Sequence, residues 1–319
     1  MALDFLLPQS YPEFVVILFL ALALDLAYPR HEGALYYIHP VHTSYAMALK
    51  LHRSLPRTRL WGIAIWFAVV ASHVALYSLA LYIADMFSRI AWIILSAYIL
   101  KVSTSFKLLY NHVKNVYICL AKGDLTCART EVSNIVRREV KNLGEGHIAS
   151  AAIESLFESL VDGFISPLLY YLILGPIGAL TQRIANTLDS ALGYKEEEFR
   201  DVGWFSAKAD TIINFVPARL EALLIILLSP IVKGSIRRSW DTYKRYRRAT
   251  ESVNAGHPMA AASGCLSVRL EKIGSYVIGE GFPLPIGGDI KRALGLAILN
   301  VATYILIINV LSITIYLAR

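Results

Sequence analysis

Glu154, Glu158 and Asp162 recur at i, i+4 and i+8 in SAAIESLFESLVDGFISP, so a helix here would carry three carboxylates on one face. Like charges at that spacing repel by about 0.2–0.5 kcal/mol per pair in water and by more beside a low-dielectric surface, so something cationic should face them. Magnesium takes carboxylate and phosphate oxygens together, which makes an acidic stripe beside basic loops the pattern of a magnesium-nucleotide site. The competing reading is a solvated helix face at a membrane edge. The following stretch, RIANTLDSALGYKEEEFRDVGWFSAKADTIINFVPARLEAL, adds Arg183, Asn186, Asp189, Asp210, Asn214 and Arg219. Asp210 and Asn214 are four apart, a spacing that suits oxygen ligation, a ligand hydrogen bond or a helix cap. Arg219 and Glu221 enter an apolar run, where ionisable groups are functional candidates by default and a structural ion pair is the rival. Two His-Pro turns, His39-Pro40 and His257-Pro258, complete the polar set, the second just after Asn254 and Gly256.

These groups need elements to hold them, and the composition says which kind. Charged residues make up 17% of 319 and hydrophobic ones 56%, with a mean hydropathy of +0.51, whereas a soluble domain is about 25% charged. Residues 294–318 carry no charged side chain and residues 61–84 only His73 among titratable imidazoles or charges, each long enough to cross a hydrocarbon core. The fold class expected is therefore all-α: a polytopic integral membrane protein in one membrane-integral domain over 1–319, with about four to six membrane segments. These lie near 14–28, 61–84, 90–108, 164–182, 216–233 and 294–318, with polar, helical loops at 30–60, 101–163, 186–215 and 237–293. The first run is read as a retained membrane helix, because Met1–Pro29 has no Lys or Arg for a signal-peptide n-region. Basic loops at 30–60 and 101–163 belong on the cytoplasmic side, which places the N-terminus outside.

Gly175-Pro176 interrupts 164–182, and the backbone groups it frees cannot be satisfied by lipid. The expectation is a segment folded back at this pair, with Asp162 before it and Asn186 and Asp189 after it on one membrane face. Cys119, Cys127 and Cys265 show no ligand spacing, so neither a disulfide framework nor a zinc site is expected. The loop 237–248, RRSWDTYKRYRR, reads as a positive-inside flank on anionic lipid or as a phosphate clamp, rather than as a nucleic-acid patch. No P-loop, GxGxxG, HExxH or GxSxG is present.

The order of motifs resembles the adenosylcobinamide-phosphate synthase family (CbiB/CobD) of cobalamin biosynthesis. The resemblance rests on Asp25 with His39-Pro40-Val41, then 152–167, NTLDSALGY at 186–194, GWFSAKADTIINFVPARL at 203–220 and NAGHP at 254–258. The chain departs from the pattern at Tyr45, Ser159 and Val253, and reads Arg138-Glu139-Val140 where an Arg-Asp-Thr triplet is usual. What the resemblance implies is an enzyme that joins adenosylcobyric acid to an amino-alcohol phosphate through an amide bond, with ATP and magnesium consumed and no prosthetic group. Magnesium-nucleotide binding would fall to Glu154, Glu158, Asp162 and Asp189, and phosphate neutralisation to Arg183, Arg219 and Arg247. His257 or His39 would serve as general base, with Glu158 counted in the catalytic set, while Asn186, Asn214 and Asn254 suit the corrin's peripheral amides. The partners implied are the corrinoid, the amino-alcohol phosphate, the bilayer and other cobalamin-assembly enzymes, and no nucleic acid. The setting implied is the cell membrane, multi-pass, with the site facing the cytoplasm. A non-catalytic carrier or scaffold for a corrinoid or other large polar solute is the alternative, suggested by the proline-broken runs.

Overall fold

The computed structural model describes residues 4–318. Helices dominate, and five among the described residues are long and apolar enough to cross a bilayer: Arg59–Phe87, Arg89–Ala121, Glu145–Leu192, Phe215–Val232 and Gly287–Leu317. The all-α polytopic membrane architecture is therefore the observed one. The first apolar run forms Tyr11–Ala27, whose 17 residues place it below that length. Serine and threonine caps set the ends. Thr58 accepts the Trp61 N–H at 3.4 Å to open Arg59–Phe87, and Ser88, in extended conformation, closes that helix and caps Arg89–Ser103 through the Ala91 N–H at 3.1 Å. Leu60, Phe67, Leu76 and Phe87 stay exposed along the first of these, as a lipid-facing helix requires. The run expected over 90–108 ends earlier, at Ser103, because Thr104 turns extended and the Ser105 N–H leaves the helix to bond Gly163 O at 2.9 Å.

The chain packs as two units. One holds residues up to Ser105, Asp162–Ile213 and those from Ile307; the other holds Phe106–Val161 and Asn214–Leu306.

In the first unit the decisive element is Ser166–Leu192, preceded by the π-helical turn Val161–Ile165. By composition this is one long apolar helix, but Gly175 sits at φ 66°, ψ −162°, a backbone region open essentially to glycine. The chain reverses there. Gln182 Nε2 donates to Asp162 O at 3.3 Å although twenty residues separate them, a distance a straight helix would stretch to about 30 Å. Gly178 lies so close to the incoming limb that a Cβ would meet Leu174 Cβ and Tyr170 O at 2.5 Å. The fold-back expected at Gly175-Pro176 is thus present as a helical hairpin, and it brings Asp162 beside Gln182 and Arg183.

In the second unit, the helices Phe106–Ala121 and Leu125–Ser133 are linked by a disulfide, Cys119–Cys127, with Cα atoms 5.6 Å apart. This corrects the expectation of unpaired cysteines: the eight-residue spacing spans a tight helical turn that returns one Cys to the other, a closeness that linear spacing did not reveal. The helices Glu145–Leu160, Phe215–Leu228, Ile236–Tyr246 and Gly256–Leu266 pack here with an antiparallel hairpin, Leu270–Lys272 against Tyr276–Ile278. Asp210 and Asn214 do not share a helix face. Trp204–Ile213 ends before Asn214, which leaves helical geometry at ψ 2° and starts Phe215–Leu228 instead.

Candidate functional site

Glu154 and Glu158 belong to the second unit and Asp162 and Asp189 to the first, so the acidic stripe is divided. The π-helical turn begins at Val161, between Glu158 and Asp162, and such single-turn insertions interrupt the regular period that placed all three on one face. Glu154 is buried and both of its oxygens are engaged. The Ser150 hydroxyl donates to Oε1, the Tyr276 hydroxyl donates to Oε2 at 2.7 Å, and Arg138 Nη1 reaches Oε2 at 3.3 Å. Ser150 is itself held by the Glu271 N–H at 2.8 Å. Burial and the Glu154 carboxylate push the Tyr276 hydroxyl well above its ordinary pKa, so it stays a donor. Glu158, one turn on, is exposed, with Lys272, Arg138 and Arg137 as its cationic surroundings. Among the described residues no three His, Cys, Asp or Glu side chains gather as a metal site, and Glu154 in particular is committed to protein donors.

A second constellation in the same unit surrounds His257. Gly256–Leu266 places this ring in its first turn, and the Tyr243 hydroxyl, from Ile236–Tyr246, lies 2.9 Å from its Nδ1. Arg219 Nη1 donates to Asn254 Oδ1 at 3.1 Å and to Phe215 O at 2.6 Å, with its guanidinium over the Phe215 ring. Burial first, then the charges of Arg219, Arg247 and Arg248, hold the His257 pKa down at about 4, so the ring is neutral at pH 7. The helix end helps: an N-terminal first turn disfavours a cation. Tyr276 Oη, the partner of Glu154, lies 4.0 Å from Met259 Sδ on the same helix as His257, so the carboxylate pair and the arginine cluster are neighbours. Asn214 is fully buried at the start of the Arg219 helix.

The remaining expected residues lie in the first unit. His39 caps Pro40–Ser54, its Nδ1 accepting the Val41 N–H at 3.2 Å. Its ring meets His31 edge-on at 4.6 Å, and Lys101 Nζ donates to His31 Nδ1 at 3.0 Å. Burial, with His31, Arg183, Lys101 and His42 around it, lowers the His39 pKa to about 3, and burial beside Lys101 lowers that of His31. Asp25 stands opposite Lys101 and Asp162 opposite Arg183. Asn186 is engaged by Asp210, donating to Oδ1 at 3.1 Å, and Asp189 closes the same helix against Gly193, where a Cβ would overlap its carboxylate.

The CobD/CbiB protein family model matches residues 18–303. The chain belongs to the CobD/CbiB family. Among its relatives, a probable cobalamin biosynthesis protein CobD of Aeropyrum pernix is 43% identical over 94% of this chain and 95% of its own length. One of Thermoplasma volcanium is 36% identical over 92% and 95%, and the cobalamin biosynthesis protein CobD of Dehalococcoides mccartyi is 32% identical over 84% and 87%. No solved structure matches. The role of the chain therefore lies in cobalamin biosynthesis.

Within this CobD/CbiB chain, the residues missed at the level of sequence are those that complete other side chains. Arg138, the retained first residue of the altered triplet, is the cation on Glu154. Tyr276 and Lys272 arrive on a β-hairpin whose signal, LEKIGSYVI with glycine at the turn, was legible but short. Tyr243 looked like one aromatic in a basic run, and Lys101 and His31 sat in stretches assigned to membrane and loop.

Proposed function

We propose that this CobD/CbiB chain is an adenosylcobinamide-phosphate synthase: it joins the free carboxylate of adenosylcobyric acid to the amine of an amino-alcohol phosphate, in the cell membrane, with ATP consumed at a site facing the cytoplasm. The observation that carries the reading is the His257 cluster, in which three arginines crowd a neutral imidazole and Arg219 is fixed by Asn254. A surplus of guanidinium around an uncharged ring suits a phosphate ester, which Arg binds through paired N–H donors. The basic run 237–248 beside it supports a cytoplasmic face by the positive-inside rule.

A carboxylate is a poor electrophile. ATP would phosphorylate it, releasing ADP, and the amine would attack the acyl phosphate to form the amide and release inorganic phosphate. The attacking group is an ammonium at neutral pH and must lose a proton first. His257 is the base in this reading, and His39 is not: the His39 Nδ1 lone pair is spent on the Val41 N–H, which leaves the proton on Nε2. For His257 Nε2 to accept a proton, Nδ1 keeps its own and donates to Tyr243 Oη. Burial is the larger cause of the weak basicity of His257, and bound phosphate would offset the second, the charges of Arg219, Arg247 and Arg248, raising its basicity when substrate arrives. In this reading Glu158, exposed beside Lys272 and Arg138, orients the ammonium, and Glu154 holds Arg138 and Tyr276. Asn214 is fully buried and Asn254 holds Arg219, so both act on the substrate through their neighbours rather than by touching the corrin. Magnesium enters with ATP as part of the substrate, and no step is assigned to a resident ion.

The test is incubation of the detergent-purified chain with adenosylcobyric acid, magnesium-ATP and each of aminopropanol, ethanolamine and threonine phosphates, following the corrin by mass. A product heavier by the condensed amino-alcohol phosphate is expected with one of them. Binding of corrinoid without product from any acceptor would instead favour a carrier, the reading to which the Gly175 hairpin lends support, since folded-back helices line solute sites in transporters.

A further inference from the structure

On the far side of the Ile236–Tyr246 helix from His257 lies a cavity of about 400 Å³ whose charged lining is Arg237, Arg238, Asp241, Arg245 and Glu280. Its walls are fixed. Ser235 caps the helix at the Arg238 N–H, the Ser239 hydroxyl donates to Ala261 O at 2.7 Å, and Arg238 Nε donates to Gly264 O at 2.9 Å. Gly264 permits that approach, since a Cβ there would meet Ser239 Cα at 2.7 Å. The ion pairs across the cavity are loose: Arg237 to Asp241 at 3.9 Å and Arg245 to Glu280 at 3.8 Å, with all four side chains more than half exposed. Exposed pairs of this kind contribute little, far less than a bidentate guanidinium–phosphate contact. Three guanidinium groups line the cavity against two carboxylates, one of which, Asp241, is also paired with Lys244 at 3.3 Å, so positive charge is in excess. The Tyr246 hydroxyl, also in the lining, is buried without a hydrogen-bond partner.

The place of the cavity says where the anion comes from. The Phe215–Val232 span ends three residues before Ser235, and Lys233, left-handed at φ 60°, turns the chain out of it. Exposed Ile231, Ile236 and Trp240 flank the cavity's helix, as side chains at a membrane interface do. We propose that this cavity binds the phosphodiester headgroup of an acidic phospholipid at the membrane rim, its excess of positive charge facing the negative phosphodiester. The site is independent of the chemistry at His257.

The experiment uses the full chain in detergent, relipidated with phosphatidylglycerol or phosphatidylcholine, with thermal unfolding and native mass spectrometry as the two readouts. Phosphatidylglycerol is expected to raise Tm by about 4 °C and to stay bound, with phosphatidylcholine doing neither. R237Q/R245Q should lose at least half of that shift, whereas R57Q/R59Q, an equal charge loss elsewhere on the surface, should keep it. Tyr246→Phe, which leaves the arginines in place, should weaken lipid retention in the mass spectrum even if the double variant folds poorly. Equal shifts from both lipids, or an undiminished phosphatidylglycerol shift in R237Q/R245Q, would overturn the site. Protection by inorganic phosphate or ATP that matches phosphatidylglycerol would overturn the lipid as its ligand.

Discussion

His39 and His257 share a dipeptide, a helix start and a crowd of cations, yet they are built for different work. Both are followed by proline, which opens the helix that follows His39 and lies in the first turn with His257. Both are held neutral by burial and positive neighbours. Behind the cations at His39 stand carboxylates, Asp25 facing Lys101 and Asp162 facing Arg183, and the ring itself is tied to its own backbone as a cap. At His257 the ring's Nδ1 meets the Tyr243 phenol rather than a backbone group, and the charges acting on the ring are those of Arg219, Arg247 and Arg248. The cation cluster at His39 is faced by its own carboxylates, whereas the guanidinium groups around His257 are the ones that the proposed function gives to the phosphate.

The largest expected effect breaks the His39 side alone. Gly175→Ala puts a Cβ 2.7 Å from Leu6 O at a backbone angle closed to alanine, and should cost about 3 kcal/mol of stability in detergent unfolding, since it opens the hairpin that carries Arg183. Any folded fraction should still show the unperturbed Arg219 site by binding phosphate substrate. Next, Arg219→Gln removes the guanidinium held by Asn254 and should raise KM for the amino-alcohol phosphate about 50-fold, or about 2.3 kcal/mol, with kcat little changed. An unaltered KM would show that the arginine cluster does not hold the phosphate.

Acid should sharpen the comparison further. Each ring is less basic in the folded chain than the ordinary value near 6.5, so below that pH the unfolded chain binds more protons and stability falls as pH drops, toward about 4 for His257 and about 3 for His39. Between pH 7 and 5 each should contribute a loss of about 2 kcal/mol, measured as a Tm decrease that His257→Asn and His39→Asn each reduce. Saturating phosphate substrate should flatten only the His257 share. The smallest effect is His39→Ala, which removes the cap on Val41 and should cost about 1 kcal/mol in the same unfolding assay.

Much of this was open to reading in the chain itself. Uncharged runs announced the membrane helices, and Gly175-Pro176 announced the fold-back, because apolar length and a glycine-proline pair are local properties. The positions of Arg219, Asn254 and His257 were legible as polar groups beside apolar runs, and the structure brings those three together. The acidic stripe read differently, since helical spacing assumes an unbroken period and the π-helical turn at Val161 interrupts it. Tyr276 on Glu154 and Lys101 on His31 join residues about 122 and 70 positions apart, and no periodicity reports a contact of that kind. The Cys119–Cys127 bond likewise depends on how tightly two helices turn.

The most direct measurement is a single-turnover comparison of His257→Asn and His39→Asn, each normalised to folded protein, with adenosylcobyric acid, magnesium-ATP and the accepted amino-alcohol phosphate, scoring the corrin product by mass. Loss of the general base should slow His257→Asn by about 100-fold or more, with His39→Asn within about threefold of the parent chain. Equal rates for the two variants, or a larger loss at His39, would contradict the assignment of chemistry to His257.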